Sequence, residues 1–296
     1  MTEEISRKYT NLDIWPVRDI VDAMYDGQIE AIKAVSPALD KIAEAAEAAA
    51  RKLGESGRLI YVGAGTSGRL AVLDGSELGP TFGWPHDRTE FCMAGGKEAL
   101  MRSQEGAEDI AEDGQSALQN INAGSEDVVI CVSASGRTPF TLGALKEAKA
   151  RGAMTIGVAN NSGTPILAEA NYSILAETGS EIIAGSTRMK AGTAQKVILN
   201  MLSTAIMTRL GRVHDGLMVD MIVSNAKLEI RAANIVSQIA QCSPDLARSA
   251  LRDTHNNIKK AVLVCTGANV YDSEAILQKV GGNLRQGLAH LQNRDS

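Results

Sequence analysis

Aromatic side chains are scarce in this chain, with three Phe, five Tyr and two Trp among 296 residues. Single-stranded nucleic-acid sites need such rings as stacking platforms. A formal net charge of −5 also gives no attraction to a phosphate backbone, so nucleic acid is not an expected partner. Cysteine is as thin: Cys92, Cys131, Cys242 and Cys265 are scattered outside any C-x-x-C pair, which leaves neither a disulfide framework nor a zinc site. His86, His214, His255 and His290 are dispersed too, with no two at ligand spacing on one helix. They are read as surface or packing histidines, and no metal is expected. No apolar run reaches the roughly 18 residues of a membrane span. The opening stretch MTEEISRKYTNLDIW has acids where a signal peptide needs cations. A cytoplasmic protein without a membrane partner is expected.

What is present is globular in character, 44% hydrophobic and 22% charged, and long enough for one large core with a small appendage. An extended arm precedes a helical stretch near Val17 to Met24. Residues 28–53 repeat apolar positions at helical spacing, as one helix or two joined near Pro37, and stop at Gly54. Leu59 to Val62 then reads as a strand, followed by a glycine-rich turn and a helix closed by Gly79 and Pro80. The same order recurs with Val128 to Val132 as strand, Ser133 to Thr138 as loop and Pro139 to Arg151 as helix. Between these units come a strand in TEFCM, a Gly95-Gly96 turn and a helix from about Lys97.

Short strands near residues 157 and 174 complete an alternation that implies a parallel sheet covered on both faces. The fold class is therefore α/β, a three-layer sandwich. Ser186 or Thr187 is placed to cap a long apolar helix ending at Gly211. From Leu217 onward the pattern is helical, to about Ala240 and then in three shorter helices starting near Ser243, Asn257 and Asp272, a small C-terminal helical bundle. The expected division is an N-terminal arm and helix (1–50), the α/β domain (51–215), and a connecting helix with the bundle (216–296).

Two loops carry the chemistry. GAGTSG, Gly63 to Gly68, satisfies G-x-G-x-x-G between a strand and a helix, where glycines let the backbone approach an anion and the helix N-terminus holds it. That holds for a pyrophosphate or a single phosphate alike. The second loop separates the cases: Ser133, Ser135 and Thr138 form S-x-S-G-x-T after another parallel strand. A nicotinamide site has no need of those hydroxyls, whereas a sugar phosphate wants short donors for its phosphate and polar groups for its ring. Either loop alone is equally well explained as a strand-to-helix turn with an N-cap. Together they point beyond the carboxyl ends of the strands, where open α/β sheets bind ligands. A dinucleotide site would also want an acid closing the second strand, and Glu90 is read as preceding that strand.

The loop pair resembles the sugar isomerase (SIS) family of phosphosugar isomerases and binding domains. GAGTSGRL, LDGSELGPTFG, AGG, EGAED, ASGRTP, STRMKAGTAQK, NMLST and LMVD, in order across residues 58 to about 225, further resemble the N-acetylmuramic acid 6-phosphate etherases. STRMKAGTAQK is the sharpest string, shared with regulatory relatives and lacking in generic sugar isomerases. The tail SPDLARSALRDTHNNIKKAVLVCTG is similar to the ubiquitin-associated-like bundle that closes the etherases.

The resemblance implies removal of the lactyl ether from carbon 3, leaving N-acetylglucosamine 6-phosphate and D-lactate, with no metal or cofactor. A base takes the hydrogen of carbon 2, which the opened aldehyde acidifies, and an acid protonates the departing lactate. The matching carboxyls are Glu77 in SELGPT and Glu108 in EGAED. Glu77 is read in the last turn of its helix, against the helix dipole, where partial desolvation would raise its pKa and suit it as the acid. Glu108, beside Glu105 and Asp109, is otherwise read as part of a solvated helix face; the resemblance makes it the base.

Gly65, Thr66, Ser67, Ser133, Ser135, Thr138 and Ser186 are the expected substrate contacts. Arg137, Arg188 and Lys190 offer cations to the phosphate or the lactyl carboxylate, with structural ion pairs as the alternative. The family's site borrows residues across a subunit interface, so a homodimer is expected.

Three segments depart from the family pattern: Tyr25, Asp26, Gly27 and Gln28 in place of Asn-Asp-Glu-Asp, Leu78 in place of cysteine, and His214, Asp215 and Gly216 in place of an aromatic-Gly-Asn triplet. An altered substrate preference is one consequence. The competing functions are an aldose-ketose isomerase, told apart by lactate release, and a non-catalytic sugar-phosphate sensor. Sensors of that kind carry two SIS domains or a DNA-binding module, for which 296 residues leave no room.

Overall fold

The computed structural model describes residues 1–293. It divides into two compact units, one formed by residues 1–76 and 86–206, the other by residues 77–85 and 207 onward.

The first unit opens with α1 (Val17–Lys33) and α2 (Leu39–Leu53), separated by a 3-10 turn at Ser36–Ala38. The break falls where Pro37 removes a backbone donor, so α1 spans both the expected first helix and the start of the next run. α2 buries Ala45, Ala46, Ala49 and Ala50, small side chains that let a helix lie close to a sheet. It packs on the strands β3, β4 and β5 described next.

The sheet is fully parallel, ordered β2-β1-β3-β4-β5, from β1 (Leu59–Gly63), β2 (Thr89–Met93), β3 (Val128–Val132), β4 (Met154–Ala159) and β5 (Tyr172–Leu175). β1, β3 and β4 are buried at every residue, as continuous apolar runs covered on both faces must be. Ile60, Val62, Val129 and Cys131 face one way and pack with Leu118 of α5 (Ala111–Asn120) and with Phe140, Ala144 and Leu145 of α6 (Pro139–Ala150). On the other face Tyr61 meets α3 (Gly65–Ser76). With few aromatics available, this core is filled by aliphatic side chains.

Two expectations within this unit fail. The helix anticipated from Lys97 is a single 3-10 turn, Lys97–Leu100, and the regular helix waits until Ala111. Positive φ at Gly95, Gly96 and Gly106 keeps the intervening chain irregular. Glu90 lies inside β2 rather than before it, and β2 still runs out at Met93 and Ala94 with no acid at its end. At the amino-terminal edge of the sheet, Asp127 accepts from the Arg58 guanidinium and from the amides of Arg58 and Gly124. Burial works against this carboxylate, but those hydrogen bonds prevail and hold its pKa below the ordinary value. α7 (Pro165–Glu169) and most of α8 (Lys190–Arg209) complete the unit.

The second unit is helical. α4 (Leu78–Phe82) is followed, after residue 206, by a hairpin of β6 (Val213–His214) and β7 (Leu217–Met218), then α9 (Ala226–Ala240), α10 (Pro244–Asp253), α11 (Ile258–Cys265), α12 (Val270–Lys279) and α13 (Leu284–Gln292). α13 and the hairpin were not anticipated. Asp215 and Gly216 both have positive φ, the requirement of the two-residue turn that Asp-Gly favours. Ser243, Asn257, Asn269 and Asn283 cap α10 to α13, each accepting a backbone N–H three residues on. Val236, Ala247, Ala261, Val262 and Leu263 form the shared core.

Candidate active site

Both loops leave carboxyl ends of adjacent strands, β1 and β3. Gly63 and Gly68 lie so close that a Cβ on Gly68 would stand 2.8 Å from the Gly63 carbonyl oxygen. This contact draws the start of α3 onto the end of β1. Gly65, the first residue of α3, has φ 52° and open space beside it; Thr66 is half-buried and Ser67 buried.

The second loop is knitted internally. Ser133 Oγ shares hydrogen bonds with Thr138 Oγ1 (2.8 Å) and Ser135 Oγ (3.3 Å) and accepts from the Gly136 amide (3.0 Å), while Ser135 Oγ accepts from the Arg137 amide (3.2 Å). Thr138, engaged with Ser133, makes no cap bond to α6, whose first residue is Pro139. Gly136 has φ 66°, and a Cβ there would lie 2.3 Å from Thr164 Oγ1.

A cavity of about 330 Å³ opens beside the first loop, lined among others by Gly65, Arg69, Glu105 and Glu108. Glu108 is exposed on a 3-10 turn, Ala107–Asp109, whose preceding Gly106 has φ 73°. No α-helix runs through Glu108, so its exposed side chain stands on this short turn and not on the face of a longer helix.

Glu77 is placed differently from expectation. α3 stops at Ser76, and Glu77 stands before α4, which runs through Gly79 and Pro80 instead of ending there. Its side chain makes no cap bond and is exposed in the chain. Glu77 groups with the second unit and Glu108 with the first.

Asp74 is the buried acid of this stretch. It accepts from Tyr61 Oη (3.0 Å), Asn200 Nδ2 (2.7 Å) and Ser203 Oγ (3.2 Å), and burial pushes its pKa up against the pull of those donors.

The string containing Ser186, Thr187, Arg188 and Lys190 is close to the first loop, since a Cβ on Gly192 would lie 3.5 Å from Thr66 Cγ2. Neither Ser186 nor Thr187 caps the helix. α8 begins at Lys190, and the buried Glu181 carboxylate accepts from the amides of Lys190 and Ala191, both at 2.9 Å. The Lys190 ammonium is 3.4 Å from Glu30 and its stem passes over Gly27; Thr193 Oγ1 hydrogen-bonds Gln28. The segment 25–28, where the chain departs from the family pattern, therefore packs against STRMKAGT. Arg137 is exposed and donates to the Gly163 carbonyl (3.2 Å), and Arg188 is exposed.

The structure thus brings Ser133, Ser135 and Thr138 into one network, and Gly65 with Glu108 into one cavity. It ties Lys190 to an ion pair. Arg69 in that cavity was missed by sequence reasoning, although it is the lone charge in GAGTSGRLAVL. Among the described residues no cluster of His, Cys, Asp or Glu is arranged to hold a metal ion. Burial pushes the Cys92 thiol up to about 12, which removes it as a nucleophile.

Five parallel strands with paired polar loops at their carboxyl ends form a SIS-type domain. The SIS domain family model matches residues 99–205, and that of the glucokinase regulatory protein N-terminal SIS domain matches residues 41–149. A solved structure described as a phosphosugar isomerase involved in capsule formation, from Bacteroides fragilis, shares the fold at TM-score 0.52 and 18% identity. That likeness covers 68% of this chain and 99% of the other.

The chain is 45% identical over 286 residues to an N-acetylmuramic acid 6-phosphate etherase of Deinococcus radiodurans, covering 96% of this chain and 94% of that protein. It is 46% identical over 283 residues to the protein of that name from Rhizobium rhizogenes, covering 94% and 91%. The chain belongs to the N-acetylmuramic acid 6-phosphate etherase family.

Proposed function

We propose that this protein is a carbon–oxygen lyase that cleaves the lactyl ether of N-acetylmuramic acid 6-phosphate, yielding N-acetylglucosamine 6-phosphate and D-lactate in cell-wall sugar recycling. Full-length kinship with the etherases supports the substrate. The observation that carries the chemistry is the Glu108 carboxylate lining one cavity with the N-terminus of α3.

In this reading the hydroxyl network of Ser133, Ser135 and Thr138 and the amides at Gly65, Thr66 and Ser67 hold the phosphate and neighbouring sugar oxygens. Ser186 and Lys190 serve from the adjoining string. Glu108 removes the hydrogen of carbon 2 from the opened aldehyde. The electrons left behind expel the carbon 3 oxygen, Glu77 protonates it as lactate leaves, and water adds to the unsaturated aldehyde. No electrons leave the substrate overall, so the route calls for no redox cofactor.

The reading includes a cytoplasmic homodimer. It is supported by one face of α1 that leaves Val17, Val21, Tyr25 and Ile32 exposed at helical spacing; among the described residues no helix is long and apolar enough to cross a membrane. Light scattering should return twice the chain mass.

The decisive test is to incubate the protein with N-acetylmuramic acid 6-phosphate and assay D-lactate. Glu77→Gln and Glu108→Gln should each lower turnover by about 10²- to 10⁴-fold. Interconversion of aldose and ketose phosphates with no lactate makes the protein an isomerase instead.

A further inference from the structure

Arg69 is the one cation among the residues lining the cavity that holds Glu108. It is half-buried in the second turn of α3, and its Nε donates to the carbonyls of Ala99 (3.1 Å) and Leu100 (3.2 Å). Those two bonds fix one edge of the guanidinium. Among the described residues its two terminal nitrogens have no hydrogen-bond partner, although Glu105 and Glu108 line the same cavity and neither forms an ion pair with it. A guanidinium gripped at Nε with its outer fork free is shaped to take a planar carboxylate through two parallel N–H···O bonds.

The proposed substrate carries two anions at separated positions, a phosphate on carbon 6 and a carboxylate on the ether at carbon 3. The hydroxyl-rich loop suits the tetrahedral phosphate. Of the cations offered by the sequence, Lys190 pairs with Glu30, Arg137 is bonded to Gly163 and Arg188 is exposed, and none of the three lines this cavity.

We propose that Arg69 binds the carboxylate of the lactyl group and is the residue that selects a 3-O-carboxyalkyl sugar phosphate over the plain sugar phosphate. The inference rests on the etherase reading. Holding the carboxylate on the guanidinium would present the hydrogen of carbon 2 to Glu108 and offset the repulsion of the leaving group's charge by Glu105 and Glu108, which line the same cavity. With the carboxylate absent, Arg69 has nothing to grip.

The test compares two reactions of one protein. Lactate release from N-acetylmuramic acid 6-phosphate involves the carboxylate. Exchange of the carbon 2 hydrogen of N-acetylglucosamine 6-phosphate in deuterated water, the hydration step run backwards, does not. Arg69→Met should raise KM for lactate release about 10- to 100-fold and leave the exchange rate within about twofold. Arg69→Lys, which keeps the charge without the fork, should fall between.

A wild-type measurement covers the case of a poorly folding variant. Replacing the lactyl ether by a methyl ether should cost the wild type the same factor, and cost Arg69→Met nothing further. Equal losses in lactate release and exchange, or no loss in either, overturn the assignment while the etherase reading stands. A wild type that handles both ethers equally overturns it too. Wild-type protein that releases no lactate overturns both.

Discussion

The loop after β1 and the loop after β3 both pass from a parallel strand to a helix N-terminus, yet they settle their polar groups in opposite ways. In the first, glycines clear space: Gly65 has nothing near its missing side chain, and the hydroxyls of Thr66 and Ser67 have no hydrogen-bond partner among the described residues. In the second, the hydroxyls of Ser133, Ser135 and Thr138 bind one another and the loop's own amides. The first is built around room for a guest, while the second has a shape that stands without one. Similar glycine- and serine-rich strings therefore do different physical work.

The largest expected effect comes from exchanging glycine for alanine in each. Gly136→Ala meets both a left-handed backbone and the Thr164 side chain, and should lose about 3 kcal/mol of stability. Gly65→Ala meets the backbone term alone and should lose about 1 kcal/mol. Urea unfolding midpoints measure both, and equal losses break the comparison.

Next comes the far end of the same strands, where Arg58 and Asp127 tie β1 to β3. Asp127→Asn should cost about 2 kcal/mol at neutral pH without changing KM, if the loops are shaped locally. The sign with pH follows from the lowered pKa of Asp127. Its contribution is complete above the unfolded carboxylate value of about 3.9 and fades as pH falls through the lower folded value. The variant's acid unfolding curve should therefore converge on the wild type once pH falls below that lower folded value.

The smallest effect sharpens the contrast most. Ser67→Ala should leave the thermal midpoint unchanged and raise KM for the sugar phosphate about tenfold, whereas Ser133→Ala should lower both stability and affinity. A stability loss at Ser67 equal to that at Ser133 would mean that its hydroxyl serves the fold.

The sheet was legible because buried parallel strands are continuous apolar runs, and Val128 to Val132 falls where its sequence places it. The long apolar helix was legible too, but its start was not. Ser186 offers the right cap chemistry in sequence, while the oxygen atoms that do the capping belong to Glu181, nine residues away along the chain from Lys190. The hairpin at Asp215-Gly216 carried its signal in full view, with strands two residues long and too short to register as a pattern. Glu108 was reached only through resemblance, because the glycines that turn its segment away from helical geometry also let charged residues read as a solvated face. Arg69 stood in the open beside the most conspicuous motif, and what marks it is the pair of carbonyls, thirty residues on, that grip its Nε.

Glu181 gives α8 a resident anion. Twenty residues of aligned peptide dipoles start at Lys190, close to the first loop, and left bare, that pole would compete for the phosphate ester of the proposed substrate. By seating an internal carboxylate there, the chain occupies that pole itself and lets this helix act as scaffold.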